Sequence, residues 1–125
     1  MIRSLGLAAA SLGAAAVALG AFGVHALRGH IDDAGLQVWH TAVEYQFWHA
    51  LALLAVAGFA RAHGARWWHA SGIALTAGIA LFCGSLYALA LGAPRWIGVL
   101  TPFGGIALIA GWTMLGIAWC NAAEK

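Results

Sequence analysis

The residues best suited to chemistry lie in the first half of the second apolar segment of the chain. Glu44 is the only carboxylate inside an apolar segment, and His40 precedes it by one helical turn. These two side chains share a helix face, and Gln46 and His49 follow them in the segment, with His49 on a neighbouring face. Carboxylates and imidazoles can hold a proton, a cation or a metal. Ionisable groups inside a membrane usually pair with one another or line a pathway, so this stretch predicts a binding site.

Each of the other apolar segments also carries a hydrogen-bonding group at a comparable depth, taking ~1.5 Å of rise per residue from the same boundary. We therefore predict a polar cluster in the outer half of the molecule. Its candidate binding residues are His25, Glu44, His49, Ser85, Tyr87 and Thr101, with His40 and Gln46 as secondary candidates.

Plainer interpretations of the same residues remain open. Glu44 and His40 could face headgroups and water at an amphipathic helix end, and the histidines could bond between helices. No HExxH or CxxC motif occurs, so we assign no metal ligand. A hydroxyl nucleophile needs a base that a third group orients, and no such arrangement is evident. We name no catalytic residue and no cofactor, and the balance is against an enzyme.

The composition identifies the solvent around most of the chain as lipid. Of 125 residues, 63% are hydrophobic and 8% charged, and the mean hydropathy is +0.86. Backbone groups in lipid must be satisfied internally, and the long Ala/Leu/Gly runs lack the alternation of barrel strands. The sequence predicts an all-α membrane protein with one domain, 1–125. Four transmembrane helices are expected at about 5–27, 36–60, 68–91 and 97–119.

The connections between these segments are short, which predicts an up-down-up-down four-helix bundle. Four basic residues then lie on the side of the termini and two on the other, so both termini are expected to be cytoplasmic. The first group is Arg3, Arg61, Arg66 and Lys125, and the second is Arg28 and Arg95. Because these charges are scattered singly, nucleic acid is excluded as a partner.

Two further patterns concern packing. Glycines recur every seven residues in the first segment and again in the last, which predicts close helix contact, with each other or with another subunit. The candidate packing residues are Gly13, Gly20, Gly104 and Gly111. Tryptophans at segment ends are expected to anchor the helices at the membrane interface. They are Trp67, Trp68, Trp96 and Trp119.

Four sequence blocks carry a resemblance that covers essentially the whole chain. They are Gly20–Leu27, Glu44–Gln46 with His49–Leu53, Gly84–Tyr87, and Thr101–Gly105 with Gly111–Trp112. In these blocks the chain resembles the YgdD-like family of small bacterial inner-membrane proteins. It departs from that pattern at Val24, where Ala is usual, and at Cys83, where Ser is usual. The resemblance implies a multi-pass protein of the bacterial inner membrane with four helices, and it implies no particular reaction.

Two functions are therefore carried forward. The first is binding or transport of a small ligand, an ion or a proton by the outer polar cluster. It predicts a water-accessible cavity lined by His25, Glu44, His49 and Tyr87. The alternative is an accessory or scaffold subunit that packs against itself or a larger membrane complex, with glycine faces turned outward. In both cases the lipid bilayer is the common partner.

Overall fold

The computed structural model describes residues 2–63 and 66–123, and within them the chain is helical apart from short turns. Lys125, which entered the orientation argument, lies outside the described residues. The first helix, α1, covers Ile2–Phe22 and continues as a π-helical segment, Gly23–Leu27. The others are α2, Asp33–His63, α3, Arg66–Ala90, and α4, Leu100–Ala123, which follows a 3-10 turn at Arg95–Val99.

All four helices are long and apolar enough to cross a membrane. The prediction of an all-α chain with four such helices is confirmed. Each helix extends beyond the apolar segment outlined from the sequence at one end or both, and α2 extends furthest, with 31 residues. At ~1.5 Å per residue α2 is about 46 Å long, whereas the hydrocarbon of a bilayer is about 30 Å thick. One or both ends of α2 therefore reach beyond the hydrocarbon.

The turns that join the helices have local chemical causes. Asp32 Oδ1 accepts a 2.7 Å hydrogen bond from the Gly35 amide, which caps the start of α2. At the end of α3, Gly92 has φ +88°, a conformation that a residue without Cβ adopts readily. The Gly92 and Ala93 amides there donate to the carbonyls of Leu89 and Ala88, which is the Schellman termination of a helix.

The glycines of α1 face small side chains of α2. The pairs are Gly6 with Ala57, Gly13 with Ala50, and Gly20 with Val43. A Cβ built on Gly13 would lie 3.9 Å from the Ala50 Cβ, which is an ordinary van der Waals contact. Residue numbers rise on one helix as they fall on the other, so α1 and α2 are antiparallel.

The glycines between α3 and α4 make much closer approaches. A Cβ on Gly104 would collide with the backbone of Phe82, and one on Gly111 would lie 2.7 Å from Leu75 side-chain atoms. Gly78 of α3 faces Leu108 in the same way. The main helix contacts run α1–α2, α2–α3 and α3–α4, with a smaller contact between α1 and α3. The glycines that carry these contacts face neighbouring helices of the same chain.

Trp68 differs from the interface anchor expected at its position. Its side chain is 0% exposed, stacked on Phe59 at 5.2 Å between ring centroids and in contact with Trp119 at 5.7 Å. Trp96, by contrast, is 68% exposed at the opposite end of the bundle. Adjacent helical positions point in directions about 100° apart, so Trp67 and Trp68 occupy different surroundings although both lie near the same helix end.

Candidate functional site

Gln46 joins three helices inside the bundle. It is 4% exposed, and its Nε2 donates a 2.8 Å hydrogen bond to the Leu12 carbonyl of α1. Its Oε1 accepts a 2.9 Å bond from the hydroxyl of Tyr87 in α3. A buried amide is costly unless both of its ends are bonded. Gln46 meets that requirement with partners from this chain, so it links α1, α2 and α3.

Trp39 repeats this arrangement two turns nearer the start of α2. Its indole Nε1 donates a 2.9 Å bond to the Leu19 carbonyl of α1, and its ring packs against Tyr87 with centroids 4.7 Å apart. Gly23 makes room for it, because a Cβ there would lie 2.7 Å from indole atoms. Sequence reasoning did not single out Trp39. The available signal was its seven-residue spacing from Gln46, which matches the spacing of Leu12 and Leu19.

Interhelical hydrogen bonds also link α3 to α4. The hydroxyls of Ser85 and Thr101 are 2.7 Å apart, and Ser85 also donates to the Phe82 carbonyl at 3.0 Å. Ser85 is buried and Thr101 is half-buried. Serine near a carbonyl one turn back commonly bonds to it within a helix, and the added bond to Thr101 ties two helices together.

His49 lies inside the bundle as well. Its side chain is 7% exposed, and Nδ1 is 2.6 Å from the Tyr45 carbonyl oxygen. A carbonyl only accepts, so this bond requires the ring proton on Nδ1. The imidazole stacks on Tyr45 at 5.7 Å and meets the edge of Trp112 at 6.2 Å. These aromatic contacts hold the ring between α2 and α4.

Glu44 lies on a different side of α2 and is exposed. It lines a groove of ≈ 300 Å³ between α1 and α2. The other lining residues are apolar: Ala16, Val17, Gly20, Val43, Phe47 and Trp48. Within residues 2–63 and 66–123, Glu44 has no hydrogen bond or ion pair. The groove thus holds one carboxylate that no described side chain neutralises.

His40 and His25 are exposed nearer the end of the same helix pair at which α2 begins. His40 lines a second groove of ≈ 300 Å³ together with Arg28 and Asp33. His25 lies in the π-helical end of α1. The structure therefore separates the candidates into an exposed set and an interior set. The exposed set is His25, His40 and Glu44, and the interior set is Gln46, His49, Ser85, Tyr87 and Thr101.

The donor groups in the described part of the chain do not gather as metal ligands do. No three or more His, Cys, Asp or Glu residues within it are grouped so that they could hold a metal ion. Cys83 is buried and Cys120 is exposed, and both are free thiols. The chemistry available at Glu44 is therefore that of one carboxylate beside aromatic rings.

Comparison with known proteins identifies the family. Residues 19–105 match a family model described as "Protein of unknown function (DUF423)". The chain belongs to this family. Its DUF423 relatives include the UPF0382 membrane protein YwdK of Bacillus subtilis (strain 168), 47% identical over 99 residues that cover 78% of this chain and 80% of the relative. A search of solved structures found no significant match.

A second relative, the UPF0382 inner membrane protein YgdD of Escherichia coli (strain K12), is 38% identical over 105 residues. That alignment covers 84% of this chain and 80% of the relative. The resemblance to the YgdD-like family is confirmed. So is the predicted location, because this DUF423 protein is a multi-pass protein of the inner membrane with four apolar helices.

Proposed function

We propose that the chain binds a small cation, either a proton or an amphiphilic organic cation, at Glu44 in the outer half of the membrane. The observation that carries this proposal is the position of Glu44 in an apolar groove without a counter-charge from the described residues. It narrows the broader expectation of a site for a small ligand, an ion or a proton to one carboxylate and one groove.

Depth along α2 supports a binding role. Glu44 is about 25 Å along the helix axis from Arg61, at ~1.5 Å per residue. With Arg61 at one headgroup boundary, Glu44 falls inside the ~30 Å hydrocarbon layer, close to its other edge. An ionised carboxylate there is costly unless a cation or hydrogen-bond donor compensates for it. Binding of a cation removes that cost.

The surroundings of Glu44 select the kind of cation. Mg²⁺ and Ca²⁺ take six or more oxygen ligands, and the groove supplies one carboxylate, so most of the ligands would have to be waters held in an apolar groove. A proton needs one oxygen. An organic cation also needs one counter-charge, together with apolar contact, which Phe47 and Trp48 supply. Their rings attract a positive charge through their faces.

We also infer the orientation expected from the sequence, an up-down-up-down bundle with both termini in the cytoplasm. Arg3, Arg61 and Arg66 support it, because they cluster at one end of the helices and basic residues favour the cytoplasmic side. The Glu44 groove then lies in the periplasmic half of the membrane. In this proposal His40 and His25 border the route from solvent to Glu44, while the interior set of polar residues holds the helices in place.

The direct test is isothermal titration calorimetry of the detergent-solubilised protein with tetraphenylphosphonium, an amphiphilic cation. We expect saturable binding that weakens by at least about tenfold in Glu44→Gln. Asp33→Asn is the matched control, since it removes one exposed carboxylate outside the Glu44 groove. Equal binding by the parent and Glu44→Gln would contradict the proposal for organic cations.

The proton alternative has its own readout. Infrared difference spectra between neutral and alkaline samples report any carboxyl that holds a proton at neutral pH, where carboxyls in water are ionised. We expect a protonated-carboxyl band that Glu44→Gln removes and Asp33→Asn retains. If every carboxyl band survives in Glu44→Gln, Glu44 takes up no proton, and with unchanged calorimetry the cation proposal is overturned as a whole.

The alternative function, an accessory subunit, is favoured by the interior of the bundle. Four polar side chains there form hydrogen bonds with partners from this chain: Gln46, Tyr87, Ser85 and Thr101. The counter-charge for Glu44 would then come from a partner helix in the groove. Chemical cross-linking in native membranes separates the two functions, because a larger complex that Glu44→Gln dissociates would indicate the accessory role.

A further inference from the structure

A third groove lies at the end of the α1–α2 interface opposite Glu44. Its volume is ≈ 640 Å³, and it is lined by Ile2, Arg3, Gly6, Leu7, Leu54, Ala57, Gly58 and Arg61. We propose that this groove binds one anionic phospholipid, with the phosphate at Arg3 and Arg61 and an acyl chain along the glycines. This inference goes beyond the cation site, since it involves none of the residues around Glu44.

The groove exists because two of its lining residues lack side chains. A Cβ built on Gly58 would meet no atom within 4 Å, so the space beside it is open. Gly6 lies opposite on α1, where a Cβ would come only within 4.0 Å of Ala57. Leu7, 67% exposed, and Leu54, 53% exposed, form the apolar walls. Such a channel along two helices suits a hydrocarbon chain.

The positive charges at the mouth of the groove favour binding of an anion. Arg3 and Arg61 line it together and are both exposed. Neither forms an ion pair or a ring contact with any residue that the structure describes. The described carboxylates, Asp32, Asp33 and Glu44, all lie toward the other end of the helix pair. Two guanidinium groups repel each other, and a phosphate between them removes the repulsion and accepts their N–H donors.

Arg66 shows what a basic residue at the same end looks like outside the groove. Its guanidinium lies 5.3 Å from the ring centroid of Trp67, so it already has an aromatic partner. Arg66 does not line the groove of Arg3 and Arg61. It therefore provides a control for the general attraction of basic residues to anionic membranes.

A phospholipid fits these observations better than a soluble anion does. The groove combines a basic mouth with an apolar lining, and an amphiphile satisfies both parts at once. Basic pockets between transmembrane helices bind anionic lipid headgroups, and the cytoplasmic leaflet that faces this end in the proposed orientation is negatively charged.

The test is native mass spectrometry of the full chain, released from detergent micelles that contain either phosphatidylglycerol or phosphatidylcholine. We expect one phosphatidylglycerol to be retained in preference to phosphatidylcholine. The double variant Arg3→Gln/Arg61→Gln should reduce that retention by about tenfold through loss of its charge-assisted hydrogen bonds. Arg66→Gln should retain the lipid as the parent does.

A second pair of variants tests the groove while both arginines remain. Gly58→Leu places a side chain in the open space and should reduce phosphatidylglycerol retention. Gly116→Leu is the matched control, because Gly116 is also an exposed helical glycine whose Cβ would meet nothing within 4 Å. It lies on α4, outside this groove, and should leave retention unchanged.

Three results would overturn the proposal. One is equal retention of the two lipids by the parent protein. Another is an equal loss in Arg66→Gln and in the double variant, which would show unspecific attraction to basic residues. The third is full retention in Gly58→Leu, which would show that the chain of the lipid does not occupy the groove.

Discussion

The interface between α1 and α2 and the interface between α3 and α4 use glycine differently. At α3–α4, Gly104 and Gly111 bring the two helices so close that an added Cβ would overlap the neighbouring helix. At α1–α2, a Cβ added to Gly6 or Gly13 would lie 4.0 or 3.9 Å from an alanine Cβ, and one added to Gly20 would lie 3.3 Å from a valine side chain, so these contacts are with side chains and not with backbone. One interface is closed by backbone approach, and the other is less tightly packed.

The looser interface is bridged by longer polar side chains. Trp39 and Gln46 of α2 each donate to a carbonyl of α1. Side chains of this length bridge helices that are further apart, and the same separation leaves grooves on the membrane-facing side. Glu44 lines one such groove and Arg61 lines another. We therefore propose that ligands bind at α1–α2, while the close α3–α4 contact supports the bundle.

The largest expected effect in this comparison is at Gly104. Gly104→Ala forces its Cβ against the Phe82 backbone, which cannot rotate away, so we expect a loss of about 1–3 kcal/mol or more in stability. Gly105→Ala is the adjacent control, since its Cβ would lie 3.8 Å from the Phe82 ring. Thermal unfolding in detergent measures both. Equal stability of the two variants would show that the α3–α4 approach is not tight.

The next effect is expected at Gln46. Gln46→Leu leaves the Tyr87 hydroxyl without its acceptor in a partly buried place, which should cost about 1–3 kcal/mol. Tyr87→Phe removes the other partner, and the double variant should cost less than the sum of the two single changes. Reversible unfolding of the parent protein and of all three variants gives the four free energies of this double-mutant cycle. Strict additivity would contradict a direct bond between Gln46 and Tyr87.

The smallest effect is expected at Gly13. Gly13→Ala adds a methyl group at ordinary contact distance from Ala50 and removes the conformational freedom of glycine from the unfolded chain. We therefore expect a change between zero and a gain of about 1 kcal/mol. A loss comparable to that of Gly104→Ala would abolish the distinction between the two interfaces.

The helices were predictable from the sequence because backbone groups in lipid need internal bonds and each apolar run is long enough to span. Which side of each helix faces inward was not predictable. Gln46 and Glu44 are two residues apart and point about 200° apart around α2. One is therefore buried while the other is exposed. A membrane protein is as apolar outside as inside, so hydropathy does not distinguish the two faces.

The same limit applies to the tryptophans and glycines. A position near a helix end predicted an interface for Trp68, whereas its side chain fills a gap between Phe59 and Trp119. The glycine spacing indicated close packing without naming the partner, and the partner depends on tertiary contacts such as Gly111 with Leu75. The polar residues could be identified in the sequence by their residue types. Their division into an exposed set and an interior set depends on how each helix is rotated about its axis, which the sequence does not show.

The most direct test of the account is to titrate the same three proteins with both probes. The parent, Glu44→Gln and Arg61→Gln are each measured with tetraphenylphosphonium and with phosphatidylglycerol. We predict that Glu44→Gln weakens binding of the cation and leaves binding of the lipid unchanged. Arg61→Gln should weaken binding of the lipid and leave binding of the cation unchanged. If either substitution weakens binding of both ligands equally, or if neither substitution changes the binding of either ligand, the α1–α2 interface does not carry two separate sites.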